Sequence, residues 1–120
     1  MSNELVSTEA FLEKIKIKDY FESFKKQVVK DFNDENFSVN SEKISLENSD
    51  YFVNLIAEYL KKSHQNNSSY FYKLLYTIDV PEKLIHPFFE TANVNWKELA
   101  FLISKREFLK VILKEKYSSL

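Results

Sequence analysis

The stretch NWKELAFLISKREFLKVILKEKY, residues 95–117, decides the fold. Asn95 is a helix cap, and Glu98 three residues later completes the Asn/Ser-x-x-Glu start signal. Leu99, Leu102, Leu109, Leu113 and Tyr117 recur at helical spacing and make one apolar stripe. Phe101, Phe108 and Ile112 make a second stripe on another side. A helix that is apolar on two sides is either central to a bundle or meets a second chain. Lys110, Lys114 and Lys116 near its end suit the negative pole of the helix dipole.

Working outward, residues 69–78 read as an aromatic helix with Phe71, Leu74, Leu75 and Ile78 on one face. Asp79-Val80-Pro81-Glu82 reads as a helix restart, with Asp79 or Val80 as cap, proline at the first position and an acid in the first turn. That short helix should reach Ile85, where His86-Pro87 redirects the chain. Residues 50–63 form another helix after Ser49, with Phe52, Leu55, Ile56 and Tyr59 inward. Residues 8–32 give a long segment started by Ser7 or Thr8, with a break near Lys18 and Asp19 as the second cap. Ile15-Lys16-Ile17-Lys18 alternates like a strand but has no partner strand. Residues 33–49 read as a polar loop with a helical turn near 42–47. The expectation is an all-α fold of four main helices plus one or two short ones, in an irregular bundle or orthogonal array. It is one domain over residues 1–120, with 1–7 frayed.

The 120 residues contain no glycine and no cysteine, but eleven Phe, seven Tyr and one Trp. Without glycine the usual positive-φ turns and phosphate-cradling loops are missing, so Asn, Asp, Ser and Pro must turn the chain. The P-loop and the dinucleotide fingerprint are excluded outright. Thiolate metal sites and disulfides are excluded by composition. The acidic start lacks a secretory pattern, and no run approaches about 18 apolar residues, so a cytoplasmic protein with no membrane contact is expected. Residues 1–60 carry seven Lys against twelve acids, and residues 61–120 carry nine Lys and one Arg against six acids. The halves therefore either complement each other or leave a positive C-terminal face for an acidic partner.

Little in the chain carries catalytic chemistry. The histidines, His64 and His86, are not paired at ligand spacing; His64 falls in a polar loop and His86 is packed or capping. No Gly-x-Ser-x-Gly elbow exists, and the serines sit where caps and turns belong. Asp31, Asp34 and Glu35 read as a solvated acidic loop. The lysines of the last helix do not gather on one face, which argues against nucleic acid. No catalytic residue, cofactor or metal is expected, and an enzyme is disfavoured. Arg106, the single arginine, falls inside the leucine stripe. It must reach water or find a carboxylate, with Asp79, Glu82 or Glu58 as structural partners, unless it anchors a ligand or partner. The Tyr70, Phe71, Tyr72, Tyr76, Phe88, Phe89 and Trp96 group is mostly core, with more tyrosine than a core of this size needs.

Two segments, Tyr76–Glu82 and Ser104–Val111, together resemble small helical proteins of bacteria whose function is uncharacterised. In these an aspartate-led restart precedes a final helix containing Arg-Glu. The resemblance covers about the last 50 residues and implies a helical fold without implying an activity. The functional expectation is a non-catalytic bacterial interaction protein that meets a protein partner or a second copy through the last helix and the tyrosine-rich region. The alternative is a small ligand-binding protein or enzyme with an aromatic pocket lined by Tyr72, Tyr76, His86, Trp96 and Arg106.

Overall fold

The computed structural model describes residues 7–118, and every regular element among them is helical. In order these are α1 (Thr8–Lys14), α2 (Lys18–Phe32), α3 (Glu35–Glu42), α4 (Asp50–Asn66), α5 (Ser68–Ile78), α6 (Glu82–Ile85) and α7 (Trp96–Ser118), with 3-10 turns at Leu46–Asn48 and His86–Phe89. The fold is all-α. Helices α2, α4, α5 and α7 are the long ones, while three rather than one or two are short. Of the frayed start predicted for residues 1–7, all but Ser7 lies outside the described residues. Ser7 is ordered as a cap, its Oγ accepting from the Ala10 amide at 3.1 Å. No helix among the described residues is long and apolar enough to cross a membrane.

Two residues do the work of the missing glycines. Asn33 (φ 49°) and Asp79 (φ 66°) are left-handed and close the C-terminal ends of α2 and α5. Their short polar side chains tolerate this region better than other non-glycine residues do. Asp79 therefore ends α5 instead of starting α6, whose cap is Pro81. The break near Lys18 is real. Asp19 does not cap α2 but lies in its first turn, after an extended Ile17 that makes no side-chain cap bond.

The polar segment 33–49 holds a helix that its pattern does not announce. Asp34 Oδ1 caps α3 by accepting from the Phe37 amide at 2.9 Å. Phe37 is the anchor, buried against the Phe32, Phe52 and Tyr59 rings. Lys25, from α2, donates to the carbonyls of Ser41 (3.3 Å) and Ile44 (2.7 Å), satisfying acceptors at the end of α3. Contacts distant in sequence hold α3, and local periodicity cannot show them.

Helix α7 lies among the others, against α1, α2, α4 and α5. Its buried positions are Leu99, Ala100, Ile103, Ser104, Glu107, Phe108, Leu109 and Val111, and Phe101, Leu102 and Ile112 pack partly against the core. The stripe of Phe101, Phe108 and Ile112 is thus covered within the chain, as are Leu99, Leu102 and Leu109 of the other; Leu113 is exposed, and Tyr117 lies outside the residues whose side chains are described. Phe108 sits at the centre. Its ring meets Phe11 at 5.6 Å, Tyr20 at 5.8 Å and Phe24 at 6.4 Å, all edge-to-face.

Phe108→Ala should lower the unfolding free energy by about 3–5 kcal/mol in a urea titration. A loss below about 1 kcal/mol would show that this ring cluster does not hold α1 and α2 to α7.

Candidate functional site

The chain reversal after α5 builds an open groove. Tyr72 and Tyr76 stand one turn apart on the outer face of α5, with Leu75 beside them. After left-handed Asp79 the chain returns, and Val80, Glu82, Ile85, His86 and Phe89 form the other wall. The groove measures about 410 Å³. Tyr76 is 88% exposed and Tyr72 52% exposed, the highest exposure of a large apolar residue being that of Tyr76 among those described.

Of the five residues singled out in the sequence, the groove brings three together: Tyr72, Tyr76 and His86. Trp96 lies behind it. Its ring packs on Phe89 at 5.9 Å, His64 at 5.4 Å and Phe71 at 6.1 Å, so it supports the Phe89 wall from inside. Arg106 is elsewhere, its Nη2 2.9 Å from Asp79 Oδ2. This is the structural ion pair offered first by the sequence, and it ties α7 to the end of α5. Asp79 is largely exposed, so the pair contributes at most about 1 kcal/mol.

One histidine departs from expectation and the other keeps to it. His64 belongs to α4, half-buried and stacked on Phe89 at 5.1 Å and 29°, where a solvated loop position was expected. The aromatic residues around it come from 71, 89 and 96, too far along the chain for local pattern to join. His86 is exposed at the head of the 3-10 turn and takes the capping role expected of it, closing α6 with its amide donating to the Glu82 carbonyl.

A second constellation was not foreseen. Gln27 and Asp31 on α2 face Glu107, Lys110 and Lys114 on α7. Lys110 Nζ donates to Asp31 Oδ2 at 2.6 Å, Gln27 Nε2 donates to the same oxygen at 3.1 Å, and Lys114 Nζ donates to Gln27 Oε1 at 2.6 Å. Glu107 is fully buried. As a carboxylate it would find no hydrogen-bond donor at either oxygen, with only Lys110 nearby at 3.5 Å. As an acid it donates its proton to Asp31. Burial, reinforced by that bond, pushes the Glu107 carboxyl up to about 9. Burial alone would raise Asp31 too, but hydrogen bonds from Glu107, Lys110 and Gln27 outweigh it and hold Asp31 below its ordinary value. Ser104 Oγ, one turn earlier, is buried without a partner. The signal lay in the spacing 100, 103, 104, 107, 108, 111, a helical face hidden because two of its members are polar.

The acidic loop expectation also fails at Asp31 and Asp34, which are both half-buried and engaged. Tyr70 donates to the Phe32 carbonyl at 2.8 Å, the Tyr59 hydroxyl donates to that of Tyr70, and Asp34 Oδ2 lies 3.4 Å from the Tyr59 hydroxyl. Burial raises both phenols. This chain pins the α2–α3 turn onto α4 and α5, at the floor of a polar cleft of about 430 Å³.

No protein-family model, curated protein or solved structure matches the chain.

The Glu107 proton makes stability depend on pH. Unfolded, Glu107 releases its proton near the ordinary carboxyl value of 4.5, and folded at about 9. Between these the folded state binds the extra proton, so Glu107 contributes a fall in stability as pH rises, at up to about 1.4 kcal/mol per pH unit. Glu107→Gln keeps a donor for Asp31 and removes the titration. Urea unfolding from pH 5 to 9 should show wild type losing stability relative to this variant. Parallel curves would mean that Glu107 is ionised in the fold.

Proposed function

We propose that this protein is a non-catalytic interaction module whose contact surface is the α5–α6 groove. The observation that carries this reading is Tyr76, 88% exposed at the lip of an apolar groove. Tyrosine rings beside a concavity have the composition and shape of binding hot spots. A core has no use for a ring left this far in water.

The last helix, first expected to share the contact, is occupied within its own chain, which concentrates the reading on the tyrosine-rich corner. The ligand-pocket alternative is less well supported. The groove is open, and its charged-type side chains, Glu82 and His86, stand in solvent instead of converging in a desolvated site. Nucleic acid also fits poorly. Lys110 and Lys114 are engaged with Asp31 and Gln27, and Lys105 with Thr8, so the helix does not present a basic stripe.

Immobilised wild type and Tyr76→Lys should differ in what they capture from an extract of the host cell. Because Tyr76 is exposed, the variant keeps its circular dichroism spectrum and thermal midpoint. Partner recovery should drop at least about tenfold. Equal recovery on the two folded baits would rule out this groove as the contact surface.

A further inference from the structure

We propose that the occupant of the α5–α6 groove is a second copy of this chain, docked about a two-fold axis so that Tyr76 of each copy enters the groove of the other. This rests on the reading of the groove as a protein-contact surface and names its partner.

A two-fold interface uses one patch on both copies, so the patch must complement itself. This one carries a projection and a recess side by side. Tyr76 projects with 88% of its surface in water, and the recess beside it, about 410 Å³, has Val80, Ile85 and Phe89 in its lining. A phenol ring is the kind of group such a recess accepts, apolar across its face with a hydroxyl at its tip.

The charges are arranged in the same way. Lys73 is exposed on α5, beside Tyr72 and one turn from Tyr76. Glu82 lies on the opposite wall. A two-fold rotation places the α5 wall of one copy on the α6 wall of the other, so Lys73 meets Glu82 of the second copy twice in the interface. The exposed acids and lysines between residues 72 and 90 are Lys73, Asp79, Glu82, Lys83 and Glu90, and with Asp79 paired to Arg106 the rest balance in sign. A strongly acidic or basic partner would find as much repulsion as attraction there, while an identical patch finds opposite charges in register.

The patch is small beside the roughly 800 Å² per partner of a stable interface. The dimer should therefore be weak and reversible, with a dissociation constant of about 10–100 µM.

Sedimentation velocity over a concentration series spanning that range tests the proposal. Wild type should pass from monomer to dimer. Tyr76→Lys should raise the dissociation constant at least about tenfold. Lys73→Glu and Glu82→Lys should each weaken the dimer, and the double variant K73E/E82K should restore it to within about threefold, because the exchange preserves each pair across the axis. All three positions changed are exposed, and circular dichroism verifies the fold of each variant. The proposal is overturned by a monomer at every concentration, by a dimer indifferent to Tyr76→Lys, or by a double variant no better than the single ones. A monomeric wild type whose partner capture still depends on Tyr76 overturns the second copy while leaving the contact surface standing. If capture is indifferent to Tyr76 as well, both readings fall.

Discussion

A helix of 23 residues that is apolar on several sides cannot be left in water, and the rest of this fold is the means of covering α7. Helices α2 and α4 take its broad faces, and α1 and α5 close the remaining sides. The rings do most of the filling. Phe11, Phe24 and Phe108 meet edge-to-face, and Phe24 continues to Phe52 at 5.4 Å, so one connected set of aromatic contacts joins four helices. Large rings fill space between helices that cross at varied angles, which suits an irregular bundle better than a regular coiled coil.

Within that apolar packing the α2–α7 seam is polar, and this constrains where the two helices sit. Gln27 and Asp31 are one turn apart, as are Lys110 and Lys114, and the pairs meet in register. Sliding α7 by a turn would part Lys110 from Asp31 and Lys114 from Gln27 together. Glu107 adds a proton in place of a charge, since a neutral acid is far cheaper to bury than a carboxylate. The seam holds the helices at one height, while the rings supply the burial.

The sequence made the long helices legible because their apolar residues repeat at helical spacing, and the absence of glycine pointed to Asn and Asp as turn formers. Asn33 and Asp79 fill that role, and Asp79 was already among the partners offered to Arg106. Helix α3 was not legible. Its stability comes from Phe37 reaching Phe52 and Tyr59 and from Lys25 holding its end, contacts that no short window of sequence contains. Glu107 was passed over for a related reason. A pattern search that follows apolar residues skips a buried carboxyl, whose partner Asp31 lies on another helix. In the candidate site, Tyr72, Tyr76 and His86 come to line one groove. Trp96, singled out as one of an aromatic group, and Arg106, singled out as the one arginine in an apolar stripe, each take a different task, behind Phe89 and on Asp79.

The functional reading follows from this division of surfaces: α7 is spent on the core, and the corner beyond α5 is left with rings in water. Amide hydrogen exchange followed by NMR tests that division most directly. The account predicts that amides of residues 99–111 exchange only when the whole molecule unfolds, as slowly as those of residues 24–28 in α2. If residues 99–111 exchange through local opening, well ahead of α2, then α7 is not the buried axis and its apolar sides return as contact surface.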